Sequence, residues 1–364
     1  MMDENVAHLA HKDAPTVLTD IPRYAAPPAH AEMALERPRI PPLNIVLFLL
    51  TLLTTTTAGA YMNGEDVSLL HPILAIAALR SGLSFSLPLM AILFAHEMGH
   101  YLTSRYHSVP TSMPYFIPAP PSVFIFGTFG AFIRMKALPR TRRVMFDIGA
   151  AGPWAGVVLA IPAVIVGLWL SDVTPLDKSV GGLELGNSLL FLALSHLVLG
   201  VDPAMVNVNL HPIAFAGWTG LWVTSLNLLP VGQLDGGHVV YALFPRRHRT
   251  ISTLFIISCV LMVLVPLALG RSPWWGWLLW AVLLTALGLG HPATVDRDTP
   301  LNPGRTVAAW LTVVLFIVTF SPVPLTISQP EQSMPRSPDE HTQEIIHHAP
   351  HYDRMLRHLS VVRT

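Results

Sequence analysis

Apolar residues run through most of this chain in blocks long enough to cross a lipid bilayer, which takes about 20 residues. Seven such blocks occupy 43–61, 84–105, 145–170, 211–243, 251–270, 274–290 and 305–325. A weaker run at 187–200 is shorter and is predicted to lie at the membrane interface. The residues before 43 and after 325 are mostly polar, so we expect a flexible N-terminal tail (1–42), a membrane-embedded domain (43–325) and a polar C-terminal tail (326–364).

The composition agrees with a membrane protein. Of the 364 residues, 52% are hydrophobic and only 12% are charged, whereas soluble domains carry about 25% charged residues. The formal net charge is zero, which argues against nucleic acid as a partner. Cys259 is the single cysteine, so an internal disulfide and a cysteine-based metal cluster are excluded. We therefore predict an all-α polytopic membrane protein with about six to seven transmembrane helices.

Lysine and arginine residues indicate how the chain is oriented in the membrane, because they concentrate in cytoplasmic loops. Six lie in 105–143 and three in 245–249, whereas 62–83 and 171–210 carry one each. The two basic loops and the N-terminal tail are therefore predicted to face the cytoplasm, and we expect the membrane to be a bacterial cytoplasmic (inner) membrane.

Two histidines and a glutamate interrupt the second apolar block, in the sequence HEMGH from His96 to His100. Residues four apart share a helix face, so both imidazoles could reach one metal ion. Glu97 is placed to take a proton from a water that this ion activates. A chance match with two packed histidines is the alternative. An ionisable residue at the bilayer centre costs about 2.5–3.5 kcal/mol on insertion scales, which favours a function.

A catalytic zinc ion usually has three protein ligands and a water, so a third ligand is needed. His107 lies about three turns beyond His96 and is interpreted as an interfacial residue. The extended motif HExxHxxGxxH is absent, because Thr103 and Tyr106 occupy its later glycine and histidine positions. Asp235 is a better candidate, since it is another acid inside an apolar block and carboxylate oxygen is a normal zinc ligand.

The segment that contains Asp235 is typical of a broken helix. Pro230 removes a helix hydrogen bond and Gly232 loosens the backbone, which at membrane depth is tolerated only inside protein or along a wet cavity. Asn227 lies about two turns before Asp235 and could donate to an oxyanion or hold a substrate backbone. His238 is left outside the ligand set, either near the site or at the interface. The alternative is a kinked span whose aspartate pairs with an arginine. It does not explain why Asn227, a second strong hydrogen-bonding group, lies about two turns before Asp235.

Together, HEMGH and the later sequence NLLPVGQLDGG resemble the two motifs of the site-2 protease family, the intramembrane zinc metalloproteases. The likeness extends to FGTFGAFIRMK and FDIGAAGPWAG and runs over residues 84–243. The resemblance implies one zinc ion per chain, held by His96, His100 and Asp235, with Glu97 as the general base. It also implies cleavage of a transmembrane segment of a membrane-anchored protein near the cytoplasmic side, as in regulated intramembrane proteolysis.

The sequence FGTFGAFIRMK, from Phe126 to Lys136, alternates like a strand and follows a stretch too rich in proline for a span. We expect a re-entrant loop with a β-ribbon next to the zinc. Its open edge could pair with an unwound substrate strand. A plain cytoplasmic loop is the alternative.

Two other functions are compatible with histidines and an aspartate inside a membrane. In a metal-ion transporter or a metal-binding membrane protein they would line an ion path, but transporters usually show internal repeats and the two motifs here are unlike. A catalytically inactive scaffold is disfavoured because Glu97 and all three expected ligands are present. A zinc-dependent intramembrane endopeptidase is therefore the predicted function.

Overall fold

The computed structural model describes residues 40–65, 67, 72–175, 182–201, 206–292, 294–296 and 298–328. All the elements below belong to one compact unit that begins at Pro41. The predicted N-terminal tail lies outside the described residues as far as residue 39, and the predicted C-terminal tail from residue 329 onwards.

The described part of the chain is mostly helical, as predicted. Its helices are α1 (Pro42–Met62), α2 (Pro72–Tyr106), α3 (Arg142–Trp169), α4 (Leu189–Leu199), α5 (Pro212–Asn227), α6 (Asp235–Leu243), α7 (His248–Ala268), α8 (Gly276–Leu287) and α9 (Pro303–Thr319). Its strands are β1 (Tyr115–Pro118), β2 (Thr128–Phe132), β3 (Asp172–Pro175), β4 (Gly182–Leu185), β5 (Val206–Asn209) and β6 (Leu325–Ser328). The strands form three antiparallel pairs, namely β1 with β2, β3 with β5, and β4 with β6.

Four of the helices in the described residues, α1, α2, α3 and α7, are long and apolar enough to cross a membrane. Helices α4, α8 and α9 are apolar but shorter. Many large apolar side chains along these helices are exposed, as expected for surfaces that face lipid rather than water. The chain is therefore a multi-pass membrane protein, with four helices of spanning length among the residues described.

The apolar block at 211–243 was predicted as a span with a broken helix, and the structure divides it into two helices. Helix α5 ends at Asn227 and α6 begins at Asp235, so the intervening residues leave the helix entirely. Within that gap Gly232 has a φ of +56°, a conformation that glycine adopts readily. A side chain on Gly236 would collide with the carbonyl oxygen of Leu228, so the gap folds back tightly against the start of α6.

Small residues let the helices approach closely, which is how membrane helices pack without a hydrophobic driving force. Gly59 of α1 faces Gly82 of α2, and a side chain on either would meet backbone atoms of the other helix. Gly167 of α3 meets the backbone of Ala214 in α5 in the same way. Helix α3 consequently packs against α2, α5 and α6 and forms the centre of the bundle.

Strands β1 and β2 form a hairpin in the region where a ribbon was predicted: β2 lies within Phe126–Lys136, and β1 comes from the proline-rich stretch before it. Helix α1 holds both sides of this hairpin. The Asn44 side-chain amide donates to the carbonyl oxygen of Pro114 at 2.6 Å, and the Thr54 hydroxyl donates to that of Gly127 at 2.6 Å. Gly127 has a φ of +73°, and a side chain there would collide with the α1 backbone. These contacts fix the position of β2.

Candidate metal centre

The HEMGH sequence lies on α2, where the helical repeat places His96 and His100 on one face. Their Nε2 atoms are 3.1 Å apart. Asp235, the first residue of α6, places its Oδ2 3.2 Å from the Nε2 of each histidine. The three residues that the sequence predicted as ligands are thus brought to one point, although α2 and α6 are far apart along the chain. They are also the one group of three His, Cys, Asp or Glu residues in the described chain close enough to share a metal ion.

The spacing and chemistry of these three atoms suit a zinc ion. Ligands about 2.0–2.2 Å from a tetrahedral zinc lie roughly 3.3–3.6 Å from one another, so separations of 3.1–3.2 Å need only a slight expansion. The Nδ1 of His100 lies 2.7 Å from the carbonyl oxygen of Ile148. Because a carbonyl only accepts, Nδ1 carries the proton and Nε2 has a free lone pair that points at the site. Both histidines are buried, with exposed fractions of 4% and 6%.

Helix α3 leaves room for these imidazoles because it carries a glycine next to each ring. In the FDIGAAGPWAG sequence, a side chain on Gly152 would collide with the ring of His100. A side chain on Gly156 would come within 3.3 Å of Nδ1 of His96. The small residues of this motif therefore have a physical reason in the metal site itself.

We expect Gly152→Ala to lower zinc affinity by about 10–100-fold, because the added methyl displaces the His100 ring from its ligand position. Competition with a chromophoric chelator in detergent measures the affinity. Gly156→Ala is the matched control, since its methyl contacts His96 at 3.3 Å and requires a much smaller shift. Equal affinities for the two variants would contradict this account of the α3 glycines.

A cavity of about 380 Å³ opens beside the three atoms. Glu97, buried with an exposed fraction of 5%, lines it. Asn227, at the end of α5, also lines it and places its side-chain nitrogen 3.2 Å from Nε2 of His96. The lining also includes residues 131–135, which are the end of β2 and the residues that follow it. The cavity therefore combines a metal-binding group, a carboxylate, an amide and the backbone of a strand.

Two histidines that the sequence analysis set apart from the ligands have other partners. His107 places its Nε2 2.9 Å from Oδ2 of Asp147 in α3. Asp147 also accepts two hydrogen bonds from Arg305 of α9, at 2.8 and 2.7 Å. His238 lines the cavity and lies 2.7 Å from His291, between Nδ1 and Nε2.

Sequence reasoning missed two residues near the site. Gln233, in the gap between α5 and α6, lines the cavity and is exposed, and its place two positions before Asp235 could have drawn attention to it. His291 lies in the loop after α8, and no motif or spacing connects it with the earlier residues.

Comparisons with known proteins indicate the family of this chain. The family model described as peptidase family M50 matches residues 84–269. The chain is 32% identical over 262 residues to the protein named probable zinc metalloprotease EGY1, chloroplastic, of Arabidopsis thaliana, covering 71% of this chain and 45% of that protein. It is 32% identical to the rice protein of the same name, covering 71% of this chain and 43% of that one. The chain is 28% identical to the Arabidopsis protein named probable zinc metalloprotease EGY2, chloroplastic, and the match covers 47% of this chain and 30% of that protein.

The chain thus spans less than half the length of these curated relatives. No solved structure matches it. The family model extends over just over half of the chain, and its range includes HEMGH, the α3 glycines and Asp235. The predicted resemblance is confirmed, and the chain belongs to peptidase family M50, the site-2 protease family.

Proposed function

We propose that this protein is a zinc-dependent intramembrane endopeptidase. Its substrate is a membrane-anchored protein, cleaved in or near a transmembrane segment. The observation that carries the proposal is the meeting of two imidazoles from α2 and one carboxylate from α6 at zinc-ligand spacing, beside Glu97. Family membership and the names of the relatives support the same function. They disfavour the alternative of a metal-ion transporter.

In this proposal His96, His100 and Asp235 hold one zinc ion per chain. A bound zinc ion would polarise the scissile carbonyl and make a water molecule acidic enough to ionise near neutral pH. Glu97 accepts a proton from the attacking water and delivers it to the leaving amine. Asn227, whose side-chain nitrogen is 3.2 Å from Nε2 of His96, donates a hydrogen bond to the oxygen on which negative charge develops.

The β1–β2 hairpin supports a way to hold the substrate. A peptide bond within a transmembrane helix is shielded by the helix, so the segment has to be extended before hydrolysis. Residues 131–135 continue from β2 into the cavity wall, where an extended segment could add to the edge of the strand. We propose that the hairpin is re-entrant and binds the unwound substrate in this way.

The topology is also a proposal. The segment from Arg105 to Arg143 carries the hairpin and six basic residues, which supports an active site toward the cytoplasmic side. Helices α5, α8 and α9, added to the four of spanning length, would give the predicted six to seven spans. The prediction of a bacterial inner membrane receives no support from the relatives, whose names place them in chloroplasts, and it stays a prediction.

Metal removal and return test the proposed function. The full chain is reconstituted in vesicles with a mixture of single-span transmembrane peptides, some of which carry glycine or proline in mid-span to ease unwinding. We expect cleavage within the span, detected by mass spectrometry, to be lost on chelation and restored by one equivalent of zinc. Undiminished cleavage by the fully metal-free chain would contradict the proposal. So would zinc flux across the vesicles without any peptide cleavage.

A further inference from the structure

His238 and His291 form a pair of imidazoles beside the metal centre that the proposed chemistry does not use. His238 lies on α6 nearly one turn after Asp235, is buried, and lines the cavity. Its Nδ1 is 2.7 Å from Nε2 of His291, which lies in the loop between α8 and α9. That loop is beyond residues 84–269, so the family match does not include the contact.

The hydrogen bonds of the pair determine where its protons lie. Nδ1 of His291 is 2.6 Å from the carbonyl oxygen of Pro292, which can only accept, so Nδ1 carries a proton. Burial, and then the neighbouring His238, lowers the pKa of His291 to about 3, so the ring is neutral and its Nε2 accepts. His238 must then donate from Nδ1. A neutral His238 therefore keeps its lone pair on Nε2, for which the described residues provide no hydrogen-bond partner.

The rings of the pair are held firmly from several directions. A side chain on Gly149 of α3 would come within 2.6 Å of the Cβ of His238, so the two helices are in close contact there. His291 stacks on Tyr241, with ring centroids 4.2 Å apart and 12° between the planes. The hydroxyl of Tyr241 accepts a hydrogen bond from the backbone of Thr294 at 3.2 Å. The loop after α8 is thus docked on α6 and sets the orientation of the His238 ring.

We propose that His238 is a substrate-contacting residue and that His291 is a positioning residue that acts through it. An extended peptide paired with β2 along one edge still presents N–H groups along its other edge, and these lose their water on entering the cavity. The lone pair on Nε2 of His238 accepts a hydrogen bond from one of them. This inference rests on the proposed function and adds a specific contact to it.

Two substitutions of His238 separate the roles of its two ring nitrogens. His238→Asn places an amide nitrogen near the position of Nδ1, so it can still donate to His291 but has no acceptor at the position of Nε2. His238→Gln places an acceptor near the position of Nε2 and loses the bond to His291. We expect His238→Asn to raise KM by roughly tenfold with kcat and zinc content unchanged. This is the effect of losing one hydrogen bond that stabilises the bound substrate and the transition state equally. His238→Gln should raise KM less.

His291→Phe tests the positioning role, because phenylalanine can still stack on Tyr241 but cannot accept from His238. It should raise KM by a smaller factor than His238→Asn and add nothing when combined with it, since both changes affect the same contact. Binding of uncleaved transmembrane peptide, measured by fluorescence anisotropy with Glu97→Gln as the common background, should show the same order. This measurement does not depend on turnover, so the inference can fail or hold independently of the proposed activity.

Three results would overturn the inference. They are an unchanged KM and peptide affinity in His238→Asn, equal losses in the asparagine and glutamine variants, and loss of zinc together with the rise in KM. The last would mean that His238 supports the metal site rather than the substrate.

Discussion

Glu97→Gln is expected to reduce cleavage by about 10²–10⁴-fold, the usual contribution of a positioned general base, while zinc content stays at the wild-type level. The amide of glutamine has nearly the shape of the carboxylate but cannot take a proton from water. Glu97 is not one of the three residues at ligand spacing, so its replacement leaves His96, His100 and Asp235 in place. Rates of peptide cleavage in vesicles and zinc content by elemental analysis are measured on the same preparations.

Glu184→Gln is the matched control for this experiment. It makes the same change of side chain and charge on β4, where Glu184 is exposed and does not line the metal cavity. If the activity of Glu97→Gln is within a few fold of wild type, Glu97 is not the general base. Loss of zinc with loss of cleavage would instead assign Glu97 to the metal site. Undisturbed zinc transport across vesicles by this variant would favour the transporter alternative.

The residues of the site were predictable because the membrane makes polar residues conspicuous. In an apolar block each ionisable side chain costs free energy unless it has a partner or a use, so Glu97 and Asp235 were noticeable from the sequence alone. The spacing of His96 and His100 then indicated a shared helix face, and the structure brings all four residues to one cavity. The use of each residue, as ligand or as base, remains a proposal.

Contacts between segments that are far apart along the chain were not predictable in this way. A ribbon was expected near the zinc, but the contacts of Asn44 and Thr54 with the β1–β2 hairpin were not, because polar residues in α1 carry no signal of which distant backbone they contact. His291 escaped notice for a similar reason, since it lies in a loop where a histidine costs nothing. Gly152 was quoted within a family motif, yet only the position of the His100 ring explains it.

Asp147 was not singled out from the sequence, although its position resembles that of Asp235. It is an acid within the third apolar block, so the reasoning that singled out Asp235 applied to it equally. In the structure it is Asp147 that pairs with an arginine, Arg305, which was the alternative considered for Asp235. The two aspartates therefore have different partners: Asp147 has the guanidinium of Arg305 and the imidazole of His107, whereas Asp235 has two imidazoles at metal-ligand spacing.

This difference leads to the second large effect, which is the loss of zinc in Asp235→Ala. The binding free energy of zinc at a structural protein site is roughly 10–16 kcal/mol, which is about 3 kcal/mol for each of four ligands. Loss of one ligand should therefore lower zinc affinity by a factor of about 100 or more. The actual fall should exceed this, because the carboxylate is the one anionic ligand and the two imidazoles do not offset the charge of the ion. Cleavage should be lost with the metal.

Asp147→Asn is the matched control, since it also removes one acid from an apolar helix but changes the contacts with Arg305 and His107 rather than the group of His96, His100 and Asp235. It should lower thermal stability and leave zinc affinity unchanged. Asp235 is the first residue of α6 and the histidines lie on α2, so a shared zinc ion would link the two helices. Zinc should therefore raise the free energy of unfolding of the wild-type protein, by about 2.7 kcal/mol at a free zinc concentration 100 times the Kd. The same zinc should not stabilise Asp235→Ala. If both variants keep wild-type zinc affinity, Asp235 is only an ion-pair partner of the histidines, and the metal centre proposed for this protein is wrong.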